Sequence, residues 1–226
     1  MERLVCFICL IFGYLCGCFQ TAYIVGKIKH IDIRKKGSGN LGTTNVFRTV
    51  GVKAGIITFV GDILKVFIAA LIVYLVVLKG FKLDIDRVAL FLYTGFGVVL
   101  GHDFPFYLKF KGGKGVAATA AALITIGDWR MIVAGVLIFF GIALATKYVS
   151  VASLSLIGAE LIIFTVFTLT GLISLDKKWQ IDCFIIVFLM TVLVFWQHRK
   201  NLKRLAEGTE NKFTFKKQRA EKEENK

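Results

Sequence analysis

The sequence predicts an all-α protein, a polytopic transmembrane bundle of about seven helices. Of its 226 residues, 56% are hydrophobic and the mean hydropathy is +0.71, so a water-soluble fold would leave far too much apolar surface uncovered. A single proline and 21 phenylalanines favour long, uninterrupted apolar helices. The formal net charge is +14, but the charges lie between apolar runs, which is typical of membrane topology. We therefore expect no nucleic-acid partner.

Seven apolar segments are candidate spans. They are residues 4–26, 54–78, 88–100, 116–127, 131–146, 149–173 and 181–196. The third and fourth have only 13 and 12 residues, short of the roughly 17 that a span needs, so each has to borrow flanking residues or stop inside the membrane. The first is too long for a secretory signal peptide and no small-residue cleavage site follows it.

The basic residues predict the orientation, because positive loops mark the cytoplasmic side. With seven crossings, the N-terminus lies outside and the C-terminus in the cytoplasm, and the inner loops and tail hold 21 basic residues against 7 in the outer loops. We expect residues 1–197 to form the seven-helix transmembrane domain and residues 198–226 a basic cytoplasmic tail. Within that tail, the alternating charges of 216–226 indicate a frayed helix or disorder.

The five cysteines all lie in apolar stretches. Cys6 and Cys9 have CxxC spacing, but no second pair or nearby histidine accompanies them. We expect them to be packing residues, with no metal site and no disulfide.

The first polar motif covers residues 37–48, between the first two spans. Its glycines allow tight turns that aim backbone N–H groups at an anion, while Ser38, Asn40 and Asn45 add neutral donors. Arg48 adds a planar charged fork. The motif is richer in such groups than an interhelical turn requires, so it predicts an anion site.

The second motif covers residues 101–115 and leads directly into the fourth apolar segment. Gly112, Gly113 and Gly115 flank Lys114 at the expected start of a helix, where exposed N–H groups, the helix dipole and an ammonium group favour an anion. This is not a Walker loop, because its glycine spacing and the residue after the lysine differ. An interfacial aromatic belt would explain the aromatic residues of this segment but not its glycines.

The third motif covers residues 198–210, just after the last span. Helical spacing places His198 and Asn201 on one stripe. An ordinary positive-inside tail would explain the charges of this segment, but not these two residues.

Three charged residues fall inside predicted spans. Asp62 and Lys65 lie three apart and can neutralise each other, either as a structural ion pair or as part of a site. Glu160 stands alone in the sixth segment, where it is either buried against a polar partner or functional.

Together, the three motifs resemble those of bacterial acyl-phosphate:glycerol-3-phosphate acyltransferases, membrane enzymes of the PlsY type that begin phospholipid synthesis. The matching residues are Ser38-Gly-Asn-Leu-Gly-Thr-Thr-Asn45 with Arg48, Gly101-His-x-Phe-Pro with Gly112-Gly-Lys-Gly115, and His198-x-x-Asn201 with Arg204, Gly208 and Glu210. Asp62-x-x-Lys65 and Tyr148-Val-Ser150 also match. Thr43, Val66 and Lys147 depart from the commoner residues without removing a charged or hydrogen-bonding group.

The resemblance implies that a fatty acyl group moves from acyl phosphate to the 1-hydroxyl of glycerol 3-phosphate, giving lysophosphatidate and phosphate, without cofactor or metal. It also implies a site on the cytoplasmic side of a bacterial cell membrane, contact with membrane lipid, and a functional link to the enzyme that makes acyl phosphate. The His-x4-Asp dyad of acyl-CoA-using glycerolipid acyltransferases is absent from the sequence.

By the same resemblance, Ser38 and Arg48 hold the glycerol phosphate and Lys114 engages phosphate, while residues 112–115 hold the acyl phosphate. His198 and Asn201 complete the pocket. The remaining substrate-binding candidates are Asn40, Asn45, His102, Arg204 and Glu210. The proton acceptor stays open between His198, His102 and a substrate phosphate.

Two other functions are compatible with basic loops. A transporter of a phosphorylated anion predicts polar residues running through the bundle to the outer face, whereas the outer loops are short and plain. A scaffold that recruits lipid enzymes through its basic tail predicts that deleting 212–226 abolishes function while Lys114→Ala does not.

Overall fold

The computed structural model describes residues 1–212, and these residues fold into helices without strands. The α-helices are α1 (Glu2–Gly17), α2 (Thr21–Ile28), α3 (Thr43–Thr49), α4 (Val52–Val73), α5 (Arg87–Asp103), α6 (Val116–Ile124), α7 (Trp129–Thr146), α8 (Val149–Leu169), α9 (Lys177–Gln197) and α10 (Arg199–Ala206). A π-helical stretch, Tyr74–Gly80, extends α4. The tail residues 216–226 lie outside the described residues.

Six helical runs within residues 1–212 are long and apolar enough to cross a membrane. They are Glu2–Ile28, Val52–Gly80, Arg87–Leu108, Trp129–Thr146, Val149–Leu169 and Lys177–Gln197. The prediction of an all-helical membrane bundle is confirmed. The short third segment does borrow its flanks, since α5 has 17 residues.

The fourth segment forms only the nine-residue helix α6, which is too short for a full span. It nevertheless joins the two ends of the bundle. Gly115 lies against Asp103 at the end of α5, whereas the carbonyl of Ile126 accepts a hydrogen bond from Arg87 Nη2 at the start of α5, at 3.2 Å. The fourth segment therefore runs back along α5, while seven membrane crossings and their orientation stay predictions.

Helices α1 and α5 pack closely along paired glycines. Gly13 and Gly17 of α1 lie against Thr94 and Val98 of α5. In turn, Gly97 of α5 lies against α1, where a methyl group on it would come within 2.0 Å of the Leu10 carbonyl oxygen. Small residues at such a spacing let two backbones approach in a lipid environment, where apolar burial alone does not drive association.

Helix α5 is the central helix. In the 18-residue apolar stretch of this span, 78% of the residues are buried, against 11% in the peripheral helix α7. Leu90, Leu92 and Val98 are completely buried in the largest core cluster. Because its two ends are fixed by this packing, α5 delivers His102 and the glycine loop that follows it to a defined position.

Candidate active site

The three polar motifs meet around one cavity of about 320 Å³. We call its polar end the polar head; its lining residues are Ser38, Asn40, Thr43, Thr44, Asn45, Arg48, Lys114, Ser150, His198, Asn201, Arg204 and Glu210. The rest, the apolar arm, extends between α4, α6, α7 and α8 and is lined by residues such as Val116, Ala120, Ile124, Met131, Val136, Phe139 and Leu156.

The first loop is held in shape by Asn45. Its side-chain oxygen accepts a hydrogen bond from the Ser38 N–H at 2.9 Å, and its amide nitrogen donates to the carbonyls of Lys36 at 3.1 Å and Asn40 at 3.0 Å. Both amide hydrogens are therefore used within the loop. The expectation that Asn45 offers a free donor to a ligand is wrong, and its role is to shape the loop that presents Ser38.

Asn40 joins the first loop to the second. Its side-chain nitrogen donates to the Gly112 carbonyl at 3.3 Å, and the Leu41 N–H points at the same oxygen at 3.5 Å. Asn40 also lines the cavity. It therefore fixes the relative position of two loops that lie about 70 residues apart in the sequence.

Gly112 and Gly113 do not present their N–H groups to the cavity. The Gly112 N–H donates to the Asp103 carbonyl and the Gly113 N–H to the His102 carbonyl, each at 3.0 Å. The expected exposed N–H groups are thus absent at these two positions, which is a correction to the predicted anion loop. The glycines are needed for packing, because a methyl group on Gly113 would lie 1.9 Å from His102 Nε2.

Lys114 and Gly115 do reach the cavity. Gly115 adopts a left-handed conformation, with φ of 73°, directly before α6, a conformation that favours glycine. The turn directs the first residues of α6, whose N–H groups have no partner within the helix, toward the polar head. Lys114 Nζ donates to the side-chain oxygen of Asn201, which links the second motif to the third.

Burial lowers the pKa of Lys114 to about 8, with Arg204 and Arg48 adding to the shift and Glu210 opposing it. The ammonium group is thus poorly solvated and close to other cations. A phosphate placed beside it would relieve both penalties.

The third motif is organised by Glu210. Its carboxylate is buried and accepts hydrogen bonds from Ser150 Oγ at 3.0 Å, Asn201 Nδ2 at 2.6 Å and Arg204 Nε at 2.7 Å. Burial alone would raise the pKa of Glu210, but these hydrogen bonds and the Arg204 charge hold it below its usual value. Glu210 therefore fixes Asn201 and Arg204 and ties the tail to α8.

Among residues 1–212, only one of the two ring nitrogens of His198 has a hydrogen-bond partner. Its Nδ1 lies 2.8 Å from the Val194 carbonyl oxygen, and because a carbonyl can only accept, Nδ1 carries the hydrogen and Nε2 is an acceptor. Burial and the nearby Lys114 lower the pKa of His198 to about 4, so the ring is neutral at physiological pH.

His102 belongs to a buried charged cluster. Its Nδ1 lies 2.8 Å from Lys65 Nζ, and Lys65 also donates to Asp62 at 2.9 Å. Because an ammonium group only donates, Nδ1 is the acceptor and the proton is on Nε2. Asp62 and His102 both line the cavity. The pair of Asp62 and Lys65 is therefore both a buried ion pair and a component of the cavity edge.

The polar head carries an excess of positive charge. Arg48, Lys114 and Arg204 contribute three cations, and Glu210, which pairs with Arg204, is the one carboxylate among the residues defined above as the polar head. Arg48 donates to the Asn211 carbonyl at 3.3 Å, and burial lowers its pKa. Two positive charges are left over, which suits a ligand with one or two phosphate groups.

Sequence reasoning missed Thr43 and Thr44, which line the polar head, and gave Ser150 no role although its hydroxyl holds Glu210. The two threonines directly follow Gly42 at the start of α3, so their place within the first motif was the available signal. Within residues 1–212 no cluster of three or more histidine, cysteine, aspartate or glutamate side chains could hold a metal ion.

The family model for glycerol-3-phosphate acyltransferase matches residues 7–208. Among curated relatives, the glycerol-3-phosphate acyltransferase of Mycoplasma pneumoniae is 37% identical over 91% of this chain and 93% of its own length. That of Bacillus subtilis is 39% identical over 90% of this chain and 95% of its own length.

Two solved structures are also similar. They are the glycerol 3-phosphate form and the lysophosphatidic acid form of PlsY (YgiH), an integral membrane glycerol 3-phosphate acyltransferase. Both are 32% identical to this chain, covering 93% of it and 96% of the solved chain, with TM-scores of 0.77 and 0.75.

Proposed function

This chain belongs to the glycerol-3-phosphate acyltransferase family, and on that premise we propose that it acylates the 1-hydroxyl of glycerol 3-phosphate with acyl phosphate as donor. It is an integral membrane acyltransferase of phospholipid synthesis. The hydroxyl oxygen attacks the acyl carbonyl carbon, a new ester C–O bond forms, and the C–O bond to the phosphate breaks. The products are lysophosphatidate and inorganic phosphate.

One observation carries the proposal: the two surplus positive charges of the polar head border directly on the apolar arm. Arg48 and the rim residue Ser38 bind the phosphate of glycerol 3-phosphate, and Asn201 closes that pocket. Lys114 and the start of α6 at Gly115 bind the acyl phosphate. Lys114 belongs to the second motif and contacts Asn201 of the third, so it lies between the two phosphate sites. There it neutralises charge on the leaving phosphate as the bond breaks.

Positioning supplies much of the catalysis, because acyl phosphate is an activated anhydride and no covalent intermediate is needed. His198 Nε2 accepts a hydrogen bond from the attacking hydroxyl and so orients it. Its low pKa makes it a poor final holder of the proton, so the proton passes to the departing phosphate, which is the stronger base. His102 takes no proton, since Lys65 occupies its acceptor nitrogen.

The apolar arm holds the acyl chain. Its lining by alanine, valine, isoleucine and phenylalanine side chains gives methylene groups an environment as apolar as the bilayer core. The arm also argues against an anion transporter, because a phosphate would have no polar path along it toward the far end of the bundle.

We place the polar head on the cytoplasmic side of a bacterial cell membrane, because the basic loops gather at that end. There it would receive acyl phosphate from the enzyme that makes it. An amphiphilic, hydrolysable donor of this kind favours a close functional link between the two enzymes.

The donor is tested with purified protein, glycerol 3-phosphate and one of three donors: acyl phosphate, acyl-CoA or acyl carrier protein. We expect lysophosphatidate and an equal amount of phosphate from acyl phosphate alone, without added metal. Efficient turnover of acyl-CoA or acyl carrier protein, with none of acyl phosphate, would refute the proposed donor while leaving the acyltransferase assignment intact.

A further inference from the structure

Glu160 is a buried carboxyl group that the proposed reaction does not use. It lies in the middle of α8, is 4% exposed and lines the cavity. Its Oε2 has no hydrogen-bond partner among residues 1–212. A carboxyl group without a partner is energetically costly at such a depth. A molecule that enters this part of the cavity therefore has to pack against it.

The position of Glu160 corresponds to the inner part of the apolar arm. It lies ten residues beyond Ser150, which contacts Glu210 in the polar head, and ten residues of α-helix span about 15 Å. Gly135 of α7 makes room for the carboxyl, because a methyl group there would lie 2.7 Å from Glu160 Oε1. The same methyl group on Gly135 would also contact the side chain of Leu156.

We propose that Glu160 determines the acyl chain-length preference of the enzyme, an inference that rests on the proposed function. A chain that ends before Glu160 leaves the cavity beside the carboxyl open to water. A longer chain has to place methylene groups against it, and these groups cannot supply the missing hydrogen bond. The carboxyl therefore penalises long acyl chains, although the wall around it is otherwise apolar.

The test compares kcat/KM for lauroyl, palmitoyl and stearoyl phosphate in matched variants. Glu160→Met keeps the side-chain length and removes the polar atoms, so the stearoyl-to-lauroyl ratio should rise by about tenfold, the order expected for one unpaired buried polar group. Glu160→Gln keeps a polar group and should keep the ratio of the unaltered protein. Ile162→Met, on the exposed face of α8, is the control for added methionine and should change nothing.

Gly135→Ala tests the inference in the opposite direction and does not depend on Glu160→Met folding. The added methyl group would push the carboxyl into the arm, so the stearoyl-to-lauroyl ratio should fall. A ratio that stays unchanged in folded Glu160→Met or in folded Gly135→Ala overturns the proposal.

A second measurement separates this inference from the identity of the donor. Lauroyl and stearoyl lysophosphatidates are compared as competitors of glycerol 3-phosphate binding, which requires no acyl donor. If acyl phosphate is not a substrate but Glu160→Met still favours the longer competitor, the proposed donor fails and the role of Glu160 stands. If the relative strength of the lauroyl and stearoyl competitors is the same in the unaltered protein and in Glu160→Met, the role of Glu160 is refuted and the proposed donor is not affected.

Discussion

At the scale of single residues, Lys114 shows how burial tunes a binding group. Its pKa is lowered to about 8, so the free enzyme loses the charge of Lys114 as the pH rises through that value. The second pKa of a phosphate monoester lies near 6, so the charge of the substrate is already constant in this range. A change in kcat/KM near pH 8 therefore reports the lysine.

We expect kcat/KM for glycerol 3-phosphate to fall as the pH rises through about 8. Lys114→Arg should move this fall to higher pH, because a guanidinium group stays charged. The measurement is a pH profile of both proteins in the same detergent. Superimposable alkaline limbs would show that Lys114 is not the titrating group.

The charge of Glu210 gives a second prediction about the alkaline fall in kcat/KM. Glu210 raises the pKa of Lys114, so Glu210→Gln should shift the alkaline fall to lower pH. The amide oxygen can still accept from some of the three donors around it. Lys203→Gln, at an exposed position of α10, is the control, and a shift of equal size there would argue against a specific effect of Glu210.

The sequence predicted which residues gather in the polar head better than it predicted what each one does. Arg48, Lys114 and His198 line the cavity as expected, because polar groups at the ends of apolar helices are seldom needed for packing. The amide of Asn45 and the N–H of Gly112 instead hold the loops together. Such bonds depend on the conformation of a loop, which residue spacing does not determine.

At the scale of helices, the contact between α1 and α5 depends on close backbone approach. We expect Gly97→Ala to destabilise the protein by about 1–3 kcal/mol or more, since its methyl group would overlap the Leu10 carbonyl. Gly141→Ala is the matched control, because no atom lies within 4 Å of a methyl group there. Thermal unfolding in detergent compares the two, and equal melting temperatures would contradict this account of the packing.

The sequence also predicted most of the long helices, but the segment 4–26 is divided into α1 and α2, and α6 is shorter than its predicted segment. Its segment of 12 apolar residues forms nine residues of helix and then a turn at Gly127, whose φ is 87°. Hydropathy cannot distinguish a short buried helix from part of a span. The contact of Ile126 with Arg87 resolves the path of the chain.

At the scale of the whole molecule, the helical bundle brings three distant loops to one end. Lys36 and Lys109 are exposed at that end and Lys82 in the loop between α4 and α5 at the other. We expect a membrane-impermeant maleimide to label Lys82→Cys in intact bacteria, and Lys36→Cys and Lys109→Cys only after permeabilisation. The unsubstituted protein corrects for its own cysteines, and labelling of all three sites in intact cells would contradict the predicted orientation.

The central claim is that one polar head, built from three motifs, holds the phosphate of glycerol 3-phosphate. Equilibrium binding of glycerol 3-phosphate tests it most directly, using the unaltered protein, Arg48→Ala, Lys114→Ala and the control Arg199→Ala, whose guanidinium stacks on Trp196. We expect each of the first two variants to lose about tenfold or more in affinity, as for a lost charge-assisted hydrogen bond, while the control and the melting temperatures stay unchanged. Undiminished binding by both Arg48→Ala and Lys114→Ala would contradict the account.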